Sequence, residues 1–164
     1  MKLTDATLRI HHTAICVNDF DHARDFYTGF LGFHLDGEMD HRGEPALGEV
    51  VALPGALIRW AMLRHGEHRV ELFKYYTPQG ETAARRQCDF GYSHLAFEVA
   101  DVDRVYEQVL RAGYRCNSEP KVMRNGHTKV FYLLEPEGAV TEFLQFLKKG
   151  DAHPGQGGPN HGGA

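Results

Sequence analysis

Long apolar runs are missing from this 164-residue chain. A membrane-spanning helix needs about 20 of them in succession, so no spanning segment is expected. The start, Met1-Lys2-Leu3-Thr4-Asp5, does not open onto the short apolar stretch of a secretory signal. Cysteine is scarce and odd in number: Cys16, Cys88 and Cys116 stand at unrelated spacings. That excludes a disulfide framework and favours reduced thiols in a cytoplasmic protein. Positive charge is not in excess either. Lys and Arg total 18 against 22 Asp and Glu, a net charge of −4, and the cations are scattered rather than clustered. No nucleic-acid partner and no membrane partner are therefore expected.

What the chain does have is a pattern that occurs twice. His12-Thr13-Ala14-Ile15-Cys16-Val17-Asn18-Asp19-Phe20-Asp21 returns as His94-Leu95-Ala96-Phe97-Glu98-Val99-Ala100-Asp101-Val102-Asp103, with His, Ala, Val, Asp and Asp at matching places. Each copy reads as a strand running into a helix. Downstream of each His lies a Glu in an apolar, strand-like stretch: Arg69-Val70-Glu71-Leu72-Phe73 and Val140-Thr141-Glu142-Phe143-Leu144. The chain thus reads as two copies of one module, each offering one His and one Glu. Two imidazoles and two carboxylates make a first coordination shell for a divalent metal such as Zn, Ni, Co, Mn or Fe.

The boundaries follow from local signals. Residues 1–76 read as the first module, 77–91 as a polar link, 92–147 as the second module and 148–164 as a disordered Gly/His tail. In the first module, a strand over 9–17 leads to Asp19 as the N-cap of a helix near 20–31. Its Phe20, Ala23, Phe26, Tyr27 and Phe30 recur at helical spacing, and Gly32 stops it. Segments 33–38, 47–53, 57–64 and 68–75 then read as strands. The second module repeats this, with a strand over 92–99, a helix over 102–112 capped by Asp101, and strands near 114–117, 129–134 and 140–147. Alternation along a strand puts His12, Ala14 and Cys16 on one face. His94, Ala96 and Glu98 share the matching face. His11, one residue out of phase, falls on the helix side and is a poor ligand. Small alanines beside each His leave room for an ion and a substrate.

These residues resemble the vicinal oxygen chelate superfamily, which includes glyoxalase I, methylmalonyl-CoA epimerase, extradiol dioxygenases and bleomycin or fosfomycin resistance proteins. The resemblance rests on the doubled module and its His-starting strands. It rests also on Phe26-Tyr27 before Leu31-Gly32-Phe33 and on Glu135-Pro136-Glu137-Gly138 before Val140-Thr141-Glu142. It covers residues 9 to 147. It implies an α+β fold in which two βαβββ modules form a cup-shaped mixed sheet around a metal site. The metal positions fall on His12, Glu71, His94 and Glu142.

The resemblance also sorts the branches. Extradiol dioxygenases use two His and one Glu and leave the position of Glu71 without a ligand. A carboxylate there points to a metal-dependent lyase or isomerase, glyoxalase-like or epimerase-like. Such an enzyme abstracts a proton alpha to a carbonyl in a small-molecule substrate chelated through adjacent oxygens. By that resemblance Glu142 is the base and Glu71 its counterpart, and a homodimer is the expected assembly. The alternatives are an extradiol-type dioxygenase and a non-catalytic, ligand-sequestering protein on the same fold. Tyr75, Tyr132, Arg59 and Lys129 are further candidates for substrate contact, outside the catalytic set.

Overall fold

The computed structural model describes residues 9–81, 86–88, 91 and 94–147. The chain divides into two compact units, Met1–Ala84 and Arg85–Ala164. The tail expected from Lys148 onward and part of the expected link lie outside the described residues.

In the first unit, β1 (Thr13–Cys16) leads to α1 (Phe20–Asp25), which continues as a π-helical turn over Phe26–Phe30. Asp19 caps the helix as expected, its carboxylate accepting from the His22 N–H at 3.1 Å. Gly32, at φ 76°, takes the left-handed conformation that ends the helical run at no steric cost. The chain goes on through β2 (His34–Arg42), α2 (Pro45–Val50), β3 (Leu57–His65) and β4 (His68–Thr77). The sheet order is β1-β4-β3-β2, with β1 parallel to β4 and the other pairs antiparallel.

The second unit repeats the plan. It comprises β5 (Leu95–Glu98), α3 (Val102–Arg111), β6 (Arg115–Cys116), β7 (Lys121–Met123), β8 (Thr128–Leu134) and β9 (Val140–Phe146). Asp101 caps α3, accepting from the Arg104 N–H at 3.0 Å. The strand order is β5-β9-β8-β6, and β7 pairs separately with β8. Each unit therefore has the βαβββ outline of an α+β fold, elaborated by α2 in one copy and β7 in the other.

Alternation along the strands separates two faces in each sheet. In the first unit Val70, Leu72, Ala61 and Leu63 are fully buried on the face that receives Phe20, Ala23, Phe26 and Tyr27 of the helical segment. In the second, α3 packs on β8 and β9 and brings Val102 and Val109 to Phe131, Leu133 and Phe143. Burying such side chains is worth about 1.5–3 kcal/mol each, so these layers fix which face is left for Glu71 and Glu142.

One segment departs from expectation. Residues 47–53, read as a strand, instead belong to α2 and the turn after it. Pro45 occupies the first turn of that helix, where its fixed φ suits helical geometry and its missing N–H costs nothing. Leu47 then buries against Ala56 and Ile58, with Trp60, Phe73 and Tyr75 packed around them. A short apolar run cannot by itself distinguish helix from strand.

Candidate functional site

The parallel pairing of first and last strands creates the same juxtaposition twice. Ala14 is opposite Glu71 in the first unit, and Ala96 is opposite Glu142 in the second. His12 and His94 each stand two residues before that alanine, just ahead of their strands. The result is a His–Glu pair in each unit with matching atoms and matching distance. His12 Nε2 lies 3.0 Å from Glu71 Oε2, and His94 Nε2 lies 3.0 Å from Glu142 Oε2. Both carboxylates are 16% exposed, and the imidazoles are 35% and 30% exposed, so each pair is sheltered yet reachable.

The spacing can be tested against a metal. Nitrogen and oxygen ligands at about 2.1 Å in adjacent positions of an octahedral ion lie about 3.0 Å apart. A direct hydrogen bond between imidazole and carboxylate has about the same reach. The donor set is that of a borderline divalent ion, and each pair fits as two adjacent ligands. Among the described residues no group of three or more His, Cys, Asp or Glu is placed to hold an ion together.

Neighbouring residues make the pairs unequal. On the Glu71 face of the first unit, Met62 is directly across from Glu71, Phe73 is across from Trp60, and Tyr75 is across from Ile58. Burial pushes the Tyr75 phenol up, with the charges of Cys16 and Glu71 adding to it. In the second unit Tyr132 is directly across from Glu142. Burial raises its phenol too, reinforced by the neighbouring Glu142 carboxylate. The Tyr132 ring also stands edge-on to His94, centroids 5.4 Å apart at 89°.

Two of the residues named for substrate contact are placed elsewhere. Arg59 lies on the helix-side face, its guanidinium 4.3 Å from the Phe20 ring centre and bonded to Asp21 and Glu38. Lys129 occupies the same role in the second unit, its ammonium 2.5 Å from Asp103 in the first turn of α3. Both clamp a helix start to its sheet. The reason is register: Arg59 pairs with Lys74 and Lys129 with Gln145, one step out of phase with the glutamates. His11, expected on the helix side and as a poor ligand, lies with His12 just ahead of β1. Its Nδ1 comes 2.8 Å from Nδ1 of His12, on the side of that ring away from Glu71.

Comparison with known proteins gives this architecture a family. Residues 9–143 match the model of the Glyoxalase/Bleomycin resistance protein/Dioxygenase superfamily, and the chain belongs to it. Among its relatives is a 2-epi-5-epi-valiolone epimerase from an Actinomyces species. The two are 36% identical over 143 residues, covering 82% of this chain and 78% of that one. A lactoylglutathione lyase of Neisseria meningitidis is 27% identical over 144 residues, covering 88% and 94%. The crystal structure of a glyoxalase family protein from Bacillus cereus shares the fold, with a TM-score of 0.75 at 23% identity over 87% of this chain and 96% of that one.

Proposed function

We propose that the protein is a metal-dependent lyase or isomerase that moves a proton on the carbon next to a carbonyl. The observation that carries this is the duplicated His–Glu pair, His12 with Glu71 and His94 with Glu142, each at 3.0 Å. In this reading the four side chains hold one divalent ion, one of Zn, Ni, Co, Mn or Fe. That ion supplies the Lewis acid that makes such a proton removable. The protein's own groups do the rest. Two imidazoles bring no charge, so the carboxylates neutralise the ion, and a ligand carboxylate within reach of the substrate can take the proton and return it. Glu71 and Glu142 are the two groups able to do so.

The relatives support proton transfer. One is named an epimerase and another a lactoylglutathione lyase. The substrate class we assign is a small molecule with adjacent oxygens, such as a hydroxyketone or a dicarbonyl. The assembly we assign is a homodimer, to be read as a mass of two chains by light scattering at micromolar concentration.

The test is exchange. With zinc, nickel or cobalt supplied, the protein should exchange the hydrogen alpha to the carbonyl of an α-hydroxyketone for solvent deuterium, read by proton NMR. Removing the metal with a chelator should stop it, and no oxygen should be consumed. Metal-dependent oxygen uptake with a catechol would overturn this reading in favour of ring cleavage. Metal-free protein that binds a ligand without exchange would favour sequestration.

A further inference from the structure

We propose that the α2 insert of the first unit is a lid on the Glu71 face, and that the Trp60 indole N–H is a substrate-binding donor. The donor is uncovered when the insert lifts and is given to a substrate oxygen other than the two that meet the ion. This deepens the function proposed above and rests on it for the place of the substrate.

Trp60 is the single tryptophan of the chain. Its Nε1 is buried without a hydrogen-bond partner, alone in this among the side-chain nitrogens and oxygens of the described residues. A buried donor left unpaired costs stability, and folded proteins keep few of them. Register ties this donor to the site. Met62 is directly across from Glu71 and Trp60 from Phe73, so the indole is a diagonal neighbour of Glu71 on one sheet face. Diagonal neighbours stand about 7–8 Å apart, a span that an aromatic side chain covers. A substrate held at Glu71 is therefore within reach of this ring.

The insert over this face is built to move as one piece. Its ends meet where Arg42 pairs with Ile58, and a Cβ on Gly43 would come within 3.0 Å of Leu57 Cδ1. Between those ends the backbone bonds close on the insert itself. The Leu47 N–H donates to the Glu44 carbonyl at 2.9 Å, the Leu53 N–H to the Gly48 carbonyl at 2.9 Å, and the Ala56 N–H to the Leu53 carbonyl at 3.0 Å. Gly48 lets the turn seal, since a Cβ there would meet the Leu53 carbonyl oxygen at 3.0 Å. Loops whose ends lie close and whose own side chains pack them are compact pieces riding on a scaffold. What seats this one on the sheet is apolar. Leu47 clusters with Ala56 and Ile58, and Val51, Trp60 and Phe73 pack against that cluster. Lifting the insert exchanges these side-chain contacts and breaks no strand ladder.

The donor also narrows the substrate. An oxygen must accept from the indole, so the substrate class is an α-hydroxyketone with at least one further hydroxyl or carbonyl oxygen. A site with a donor to satisfy discriminates against the analogue that lacks the acceptor.

Hydrogen exchange of the single indole N–H, read by NMR, tests the lid without metal or substrate. Its protection should be at least about tenfold below that of the Leu72 amide in β4 and should change little with low urea. Indole exchange only in step with Leu72, at the same urea dependence, would overturn the proposal. For the donor, dihydroxyacetone is compared on the zinc-loaded chain with hydroxyacetone, which lacks one hydroxyl. The parent should bind dihydroxyacetone about tenfold more tightly, with a downfield move of the indole proton. Replacing Trp60 by β-(3-benzothienyl)alanine keeps the bicyclic shape and deletes the N–H. It should abolish the preference and leave the urea midpoint unchanged or higher. Equal binding of the two ketones by the parent, or a preference that survives deletion of the N–H, would also overturn the proposal. A chain that binds no zinc would defeat the metal reading instead. Indole exchange and the urea midpoint of the isostere, neither of which needs metal, would still decide this one.

Discussion

The first and second units share a frame and differ in what is laid over it. Both place a His two residues before an alanine that pairs with a Glu, and both draw the backbone on in the same way. The Val17 N–H donates to the Phe73 carbonyl at 2.8 Å, and the Val99 N–H donates to the Leu144 carbonyl at 2.8 Å. Both clamp the helix start with a cation from the strand next to the last, Arg59 of β3 on Asp21 and Lys129 of β8 on Asp103. Against this sameness stand the differences on the glutamate face. The first unit inserts α2 and packs Leu47 toward Trp60, Phe73 and Tyr75. The second places Tyr132 directly across from its glutamate, with its ring edge-on to His94. The lesson is that the repeated residues set the geometry of the pairs, and the unrepeated ones set what each pair can do.

The comparison is broken most severely by removing its common core. Leu63 and Leu133 are both fully buried at matching places, directly across from Val70 and Thr141. L63A and L133A should each cost about 2–5 kcal/mol of unfolding free energy in urea titrations. A large inequality between them would mean that the two frames are not equivalent.

Substitutions at the helix clamps sharpen it further, with smaller effect. R59M and K129M should each cost at most about 1 kcal/mol, because the acidic partners are exposed and such pairs contribute little. R59M should be the costlier, since Arg59 also meets Glu38 and the Phe20 ring.

The same clamp carries a pH signature. The Arg59 hydrogen bond, aided by the charges of Arg59, Arg24 and Lys74, holds the Asp21 carboxyl below its ordinary value against the opposing effect of burial. A carboxyl depressed by folding contributes stability above its unfolded value, near pH 4, and loses it as pH falls through the folded value. The stability difference between the parent chain and D21N should therefore be present at pH 7 and shrink as pH falls below about 4, by chemical denaturation at each pH.

The least effect should come from His11. Its ring meets His12 at Nδ1, whereas His12 Nε2 meets Glu71, so H11A should lower zinc affinity by less than H12A does, read by competition with a chromophoric chelator.

Much of this was legible in the sequence, for reasons that can be named. The two His-starting strands, the caps Asp19 and Asp101 and the downstream glutamates all lie in local patterns whose meaning does not depend on distant partners. The parity that sets His12 with Ala14 and Glu71 with Phe73 is likewise local. What could not be read depended on register or on tertiary packing. Arg59 and Lys129 looked available for substrate until cross-strand pairing put them in phase with Lys74 and Gln145. Tyr132 was a candidate contact, and cross-strand pairing puts it opposite Glu142. The helix at Pro45–Val50 was hidden because its apolar residues serve an insert that the second unit does not repeat among the described residues. Had the two modules been overlaid from Glu71 and Glu142 backwards, the extra length before β3 would have marked it.

Under the proposed function, His12, Glu71, His94 and Glu142 are all ligands of the divalent ion. The most direct measurement is the stoichiometry of divalent metal bound by the purified full chain, by calorimetric titration with zinc and elemental analysis, alongside H12A and H94A. The proposed function predicts one ion per chain in the parent and a loss of at least about tenfold in affinity in each variant. Full stoichiometry and unchanged affinity in either variant would contradict it, because the ion would then be held without that unit's histidine.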